Sequence, residues 1–600
     1  MKVNCIAALE EHLQASFAVS PLSIAIERPP SSMAGDLVVN CFRLAGALRR
    51  NPLEIAMAAA EFLSRHSDVE AVDQIKAYVN LSLTSQALFE AAVADPQAPR
   101  RDGVLPTARR QRIVVEYSAP NTNKPQHLGH VRNNTLGQAA VSLLRRVGHK
   151  VVAVNLVNDR GIHICKSMLA YQRFGHGETP QDREMKGDHL VGDYYVKFDQ
   201  EYRRQVEQLR EAQPELRERA DEELFLQTEI GRAAQDMLVK WEAEDPQVRA
   251  LWRTMNQWVL AGFDQTYLRL GVAFDRTYLE SETYGFGRQI VLDALAKGIF
   301  KRREDGATVV DLSDEKLGEK VVLRSDSTSV YVTQDIGTTA IKHDDWRPQR
   351  QIWVVGDEQI FHFKVLFAIL RKLGFPWAQT EDALCHMAYG MVNLPSGRMK
   401  SREGTVVDAD DLLDEMESLA QAATLQRYEE APNDLAERSR AIGLGALKFM
   451  LLKVNPKTTI LFDPEASLKF EGDTGPYILY AYARICSMLR KADDSAAVAK
   501  AAAAPVDWSV PGVAAERDLA LSCGVYGEVL QRAAAELDTS ILAGYLLELS
   551  KAFSRFYREC PVLNADSDKL AAARLELCRR VRDILADGLH TLGIETLDSM

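Results

Sequence analysis

No run of about 18 apolar residues occurs in the chain, so the sequence offers no candidate membrane-spanning helix. Its start, MKVNCIAALEEHLQ, places Glu10 and Glu11 where a secretory leader keeps an unbroken apolar stretch. A cytoplasmic location is therefore expected. Cysteine is sparse: Cys5, Cys41, Cys165, Cys385, Cys486, Cys523, Cys560 and Cys578. None are paired at CxxC spacing, which suggests neither a zinc site nor a disulfide framework. No structural zinc is expected, and the thiols read as free groups in a reducing compartment. Excess positive charge is also missing, because the net charge is −12. That does not exclude a nucleic-acid ligand, but it requires a local basic surface on an acidic body.

What remains is the composition of an ordinary globular chain, 46% hydrophobic and 26% charged. Six hundred residues exceed one core, and at about 150 residues per domain they imply roughly three to five units. Residues 1–105 read as a small α+β unit, with helical patterning over 45–63 and a strand over 77–83. The stretch 98–110, APRRDGVLPTARR, is rich in Arg, Pro and Gly and reads as a linker. A new pattern follows: a β-branched strand over 112–118, a polar loop, a helix over 131–147 ended by Gly148, and a buried-type strand over 151–157. Strand–helix–strand in that order implies a right-handed parallel crossover. The pattern recurs at 351–355 and 358–373. A Rossmann-like α/β domain with a parallel sheet is expected over 111–425, carrying a largely helical insertion at about 165–285. From 440 to 600 the pattern is that of an all-α helical bundle.

Two segments carry the chemistry. Pro120-Asn121-Thr122-Asn123-Lys124-Pro125-Gln126-His127-Leu128-Gly129-His130 lies between the first strand and its helix. Ligands of doubly wound sheets sit at the carboxyl ends of strands, beside helix N-termini. His127 and His130 are placed to donate hydrogen bonds to charge on phosphate oxygens, and Gly129 removes bulk where a nucleotide must pack. The second segment is Gly397-Arg398-Met399-Lys400-Ser401-Arg402-Glu403-Gly404, following a strand expected over 387–394. Its three cations suit a clamp over pyrophosphate, and Asp408 reads as the N-cap of the next helix.

HLGH and RMKSREG, in this order, resemble the HIGH and KMSKS signatures of class I aminoacyl-tRNA synthetases. Glu116-Tyr117-Ser118-Ala119-Pro120-Asn121, Tyr331-Val332-Thr333-Gln334-Asp335, 355–363 and 472–484 are similar to segments of the arginyl-tRNA synthetase family. The resemblance implies a ligase that activates arginine with ATP and transfers it to tRNA(Arg). ATP enters as substrate with Mg2+, tRNA is needed for the first step, and the enzyme is a monomer. It assigns arginine binding to Glu116, Ser118, Asn121, Tyr331, Asp335 and Gln359. A guanidinium is an always-charged rigid fork of donors, so paired carboxylates suit it, and Glu116 and Asp335 are expected at two strand ends facing one crevice. Tyr331 reads equally as core. His127, His130, Gly356, Asp357, His362 and Met399 are assigned to ATP.

The chain departs from the family in two places. Arg160 stands where an aromatic is usual and His163 where a Gln is. In the second signature Arg398 and Ser401 occupy the two lysine positions, so Lys124, or else Lys400, is left to supply the missing charge. The resemblance places anticodon recognition in the helical bundle, with Tyr477, Tyr480, Arg484, Lys551, Arg555 and Arg558 as candidates. It places contacts to the outer corner of tRNA in the N-terminal unit, with Arg43, Arg49 and Arg50 as candidates. Three rivals stay open: a class I synthetase for another amino acid, a smaller HxGH nucleotidyltransferase, and a non-catalytic RNA-binding relative.

Overall fold

The computed structural model describes residues 3–19, 21–30, 33–95, 97–395, 407–427, 431–494 and 506–600. Arg398, Met399, Lys400, Ser401 and Arg402 therefore lie outside the described residues.

The N-terminal unit packs α1 (Asn4–Phe17), α2 (Cys41–Leu48), α3 (Pro52–Leu63) and α4 (Ser85–Ala92) on four strands. These are β1 (Ile26–Glu27), β2 (Leu37–Asn40), β3 (Val69–Ile75) and β4 (Tyr78–Leu83), in antiparallel order β1-β2-β4-β3. The single helix expected over 45–63 is two. Arg49 turns to a φ of 51°, and the Asn51 side chain then caps a helix that starts at Pro52. A short helix, α5 (Ala98–Arg101), lies in the connector.

The central sheet is wholly parallel. It comprises β5 (Arg112–Glu116), β6 (Lys150–Val157), β7 (Arg276–Leu279), β11 (Arg350–Gly356) and β12 (Leu384–Tyr389), in order β12-β11-β5-β6-β7. β5 is central because it is apolar on both faces: Ile113, Val114 and Val115 are all buried. α6 (Leu128–Arg146) crosses from β5 to β6. Helices α7 (Ile162–Phe174), α8 (Gly187–Ala212), α9 (Glu229–Glu242) and α10 (Pro246–Leu270) form the insertion. The insertion is shorter than expected, since residues 276–279 form a strand of the main sheet.

Between β7 and β11 come α11 (Glu280–Ala296), a small sheet of β8 (Lys301–Arg302), β9 (Thr308–Asp311) and β10 (Glu319–Leu323), and α12 (Tyr331–Trp346). α11 and α12 touch backbone to backbone: a Cβ on Gly287 would lie 1.7 Å from Thr333 O. That contact sets the second turn of α11 against the first turn of α12. Helix α13 (Ile360–Lys372) leads to β12, and β13 (Val392–Asn393) pairs in parallel with β14 (Ile460–Leu461). α14 (Ala409–Leu425) and α15 (Leu435–Leu452) connect to a helical domain. That domain holds α16 (Pro464–Ser467), α17 (Gly475–Asp494), α18 (Ala514–Gly524), α19 (Tyr526–Glu536), α20 (Thr539–Glu559) and α21 (Asp568–Thr591). Among the described residues no helix is long and apolar enough to cross a membrane.

Candidate active site

The carboxyl ends of the five strands share one edge of the sheet, and most of the residues singled out above meet there. β5 ends at Glu116 and turns at once, with Ser118 and Ala119 both at positive φ, 77° and 48°. Two buried asparagines hold this turn. Ser118 N–H donates to Asn133 Oδ1 at 2.6 Å, and Ala119 N–H donates to Asn155 Oδ1 at 3.1 Å. The Asn133 amide also donates to Val354 O on β11 at 2.8 Å, so α6, β5 and β11 are pinned at one point. Ser118 is buried, and its hydroxyl shares a 2.7 Å hydrogen bond with Tyr267 OH. Asn121 is exposed, and the next amide, Thr122 N–H, donates to Asn158 O at 3.0 Å.

α6 opens on the two histidines. Gly129 N–H donates to His127 Nδ1 at 3.1 Å, and His127 N–H donates to His130 Nδ1 at 3.2 Å. Their ring centroids are 4.0 Å apart. Burial, helped by the charge of Lys124, pushes His127 down to about 4. His130 falls well below its ordinary value, by burial first and then by His127 and Lys124. Both rings are therefore neutral near pH 7. Because each Nδ1 accepts a backbone N–H, each proton sits on Nε2. Two Nε2–H donors thus stand at a helix N-terminus, itself an anion site. Gly129 also has a duty within the pair itself. A Cβ there would lie 2.9 Å from His127 Cε1, so the glycine makes room for the His127 ring.

The chain immediately after residue 406 rests on the start of the same helix. Leu128 N–H donates to Val407 O at 2.9 Å, and Ala409 N–H donates to Gln126 O at 3.0 Å. Asp408 caps α14 as expected, accepting from Asp410 N–H at 2.8 Å. On the other side, fully buried Arg132 donates Nη2 to Pro456 O at 2.9 Å and Thr458 O at 2.7 Å, holding the segment that leads into β14. Asp188, His189 and Asp410 come close enough to suggest a metal site. Lys186 Nζ at 2.5 Å and Arg269 Nη1 at 3.2 Å already bond Asp410, so cationic side chains stand where an ion would.

The carboxylate pocket differs from the expectation. Asp335 does not end a strand. It lies at the start of the second turn of α12, where its Oδ2 meets His362 Nε2 at 2.6 Å and raises that imidazole's pKa. Glu116 does end β5, but its carboxylate accepts from Lys342 Nζ at 2.6 Å, both side chains being buried. Glu280, which no motif singled out, begins α11 at the end of β7. Burial pushes its carboxyl up to about 7, with Arg160 opposing and Asp159 and Asp335 adding to the rise. Arg160 lies between Glu242, at 3.3 Å, and Glu280, at 3.7 Å, with its guanidinium 4.0 Å from the Tyr284 ring. Asp159 accepts Ser281 N–H at 2.8 Å and Ser281 Oγ–H at 2.6 Å, which fixes the start of α11. His163 is bonded to Tyr195 OH at 3.2 Å. Tyr331 is 80% exposed at the rim, so the core alternative for it falls. Gly356 ends β11, and Asp357 and exposed Gln359 form the turn that leads to His362 on α13. The sequence signal that would have found Glu280 is its place one residue after a strand, a strand that 276–279 is too short to announce.

The helical domain carries a second concavity, about 310 Å³, lined by Tyr480, Arg484, Arg490, Lys491, Tyr557 and the terminal Met600 among others. Arg484 Nη2 donates to Tyr480 OH at 2.8 Å, and its guanidinium lies 5.1 Å from the Tyr557 ring. Tyr477 donates from its hydroxyl to Ser554 Oγ at 3.1 Å and does not line the concavity. Lys551, Arg555 and Arg558 do not line it either. Each is exposed and ion-paired: Lys551 with Asp473 at 3.0 Å, Arg555 with Asp518 at 3.1 Å, Arg558 with Glu559 at 3.2 Å.

A parallel sheet with a neutral histidine pair on the first helix after its central strand, and a helical domain following, is the arrangement of a class I aminoacyl-tRNA synthetase. Comparison with known families agrees: residues 99–463 match the model for the catalytic domain of class I tRNA synthetases (R), 478–600 the DALR anticodon binding domain, and 4–83 the arginyl tRNA synthetase N terminal domain. The chain belongs to the arginyl-tRNA synthetase family. It is 42% identical over 586 residues to an arginine–tRNA ligase of Bacteroides thetaiotaomicron, covering 96% of each chain. It is also 42% identical to one from Treponema denticola, covering 97% of this chain and 96% of that one. Among solved structures, the arginyl-tRNA synthetase of Thermus thermophilus superposes with a TM-score of 0.80 at 28% identity, covering 99% of this chain and 100% of that one.

Proposed function

We infer that the chain is an arginine–tRNA ligase, and that the edge where Glu280, Asp335 and the histidine pair meet is its reaction centre. The observation that carries this reading is the opposition of donors and acceptors along that edge: neutral Nε2–H donors at a helix N-terminus on one side, clustered carboxyls on the other. The donor side suits the phosphates of ATP, which enters with its Mg2+ as part of the substrate. The acidic side suits the guanidinium of arginine, with Asp335 and Glu280 as its acceptors and Asn121, Tyr331 and Gln359 near the mouth. Glu116, tied to Lys342, acts by holding the floor of the pocket. Gly356, Asp357 and His362 offer the nucleotide a backbone edge and two polar side chains.

An oxygen of the arginine carboxylate attacks the α-phosphorus in line, and the bond to the β-phosphate oxygen breaks. Arginyl-adenylate forms and pyrophosphate leaves. His127 and His130 meet the developing charge by position, with Lys124 or Lys400 and the cations Arg398 and Arg402 sharing the pyrophosphate. A terminal ribose hydroxyl of tRNA(Arg) then attacks the carbonyl carbon, and AMP departs. Residues 1–105 serve the outer corner of the tRNA, 111–425 the chemistry, and 440–600 the anticodon. The stacked Tyr480–Arg484–Tyr557 set supports the last assignment, since aromatic and guanidinium planes bind unpaired bases. The enzyme acts as a cytoplasmic monomer.

Pyrophosphate exchange with each amino acid, with and without total tRNA, tests the reading. Exchange that is specific to arginine and needs tRNA is the expected result. Exchange with another amino acid, or none at all, overturns it.

A further inference from the structure

The arginine-rich connector is not used by the reaction. It folds against the amino ends of the central strands, the edge opposite the reaction centre. At about 3.3 Å per residue, the length of β5 separates the two edges by about 13 Å. Arg110, Arg112 at the start of β5, Lys150 at the start of β6, and Arg347 after α12 line one pocket of about 500 Å³ with Gly148 and Gln349. No carboxylate and no aromatic side chain lines it. All four cations are exposed.

Two of the guanidiniums are held from behind. Arg110 Nε donates to Leu105 O at 2.8 Å, and Arg112 Nη1 donates to Trp346 O at 3.0 Å. Among the described residues, Lys150 has no ion pair, and Arg347 meets one carboxylate, that of exposed Asp344, at 3.0 Å. The pocket therefore keeps a surplus of like charge in a chain whose net charge is −12. Like charges gathered in a concavity repel one another, and a shared anion relieves that repulsion.

We propose that this pocket is a second phosphate site, taking a ligand with at least two phosphoryl groups from either an RNA backbone or a free polyphosphate. With no ring to stack on, it reads phosphate and not bases.

The test titrates tripolyphosphate and a short fluorescent oligouridylate into the wild-type protein and the variants Lys150→Glu, Arg347→Glu and Lys150→Arg. Wild type is expected to bind tripolyphosphate in two classes of site, one at the histidine edge and one at the connector. Both Glu variants should lose the second class at least about tenfold, with melting temperature and pyrophosphate exchange unchanged, and Lys150→Arg should retain it. Loss for tripolyphosphate alone identifies a free anion as the ligand, and loss for both probes identifies an RNA backbone. Wild-type binding in both Glu variants, or a loss matched by a lower melting temperature in both, overturns the proposal.

Discussion

Glu280 is where a pH dependence should show. Its carboxyl ordinarily loses its proton at 4.5 and in the fold does so at about 7, chiefly through burial. A raised acid of this kind adds stability below 4.5, and the contribution is lost as pH rises through about 7. A bound guanidinium demands the opposite, the ionised form, so arginine binding must expel that proton at lower pH. The KM for arginine is expected to rise as pH falls below about 7. Glu280→Gln should weaken arginine binding by about 10–100-fold, the worth of one charge-assisted hydrogen bond, and should flatten that arm of the profile. A pH series of KM in both proteins decides it. His127 works in the other sense. Its pKa falls from 6.5 to about 4, so its contribution to stability is full above 6.5 and is lost as pH drops towards 4. The neutral donor thus persists over the working range. The charge of Lys124 is felt by both rings, and the proposal that it serves the phosphates can be tested directly. Lys124→Ala should slow adenylate formation by about 10²–10³, and a rate within a few-fold of wild type would remove it from that role.

At the scale of elements, the pocket depends on how closely α11 approaches α12. Gly287→Ala would drive a Cβ into Thr333 O and force the helices apart, separating Glu280 from Asp335. A loss of about 2–3 kcal/mol is expected in urea denaturation, together with a higher KM for arginine and an ATP KM near wild type. Much of this scaffold was legible in the sequence. The runs RIVVE and KVVAVNLV could only be buried strands, and α6, β11 and α13 followed from period and from Gly148. The Lys342 partner of Glu116 could not be read, because 226 residues separate the two and only the sheet brings them together. The same holds for Arg132. A buried guanidinium that clasps two carbonyls more than 300 residues away leaves no local trace. β7 was missed because four residues, Arg-Thr-Tyr-Leu, show neither alternation nor an apolar run.

The whole molecule is tied together at the far end of α6. Arg146 donates Nε to Asp587 of α21, at 2.8 Å to the nearer oxygen, and Nη1 to Asp102 O of the connector at 3.0 Å. Arg580 Nη2 donates to Asp102 Oδ2 at 2.7 Å, and Tyr526 donates from its hydroxyl to Asp587. The helix that starts with the histidine pair therefore ends where the connector and the helical domain meet. Asp587→Ala removes one shared acceptor from the half-buried Arg146 guanidinium and from the Tyr526 hydroxyl. It should cost about 1–3 kcal/mol and divide a single thermal transition into two, as calorimetry would show. A last consequence comes from the thiols. All eight are free and seven are buried, Cys385 being the half-buried one. Cys5 and Cys41 belong to the N-terminal unit, Cys165 to the insertion, and Cys486, Cys523, Cys560 and Cys578 to the helical domain. Burial lifts Cys5 and Cys523 to about 12. A membrane-permeant alkylating agent would therefore find almost nothing to modify until a unit opens, and the mass and position of each adduct would then serve as a built-in clock of which unit opened, and when.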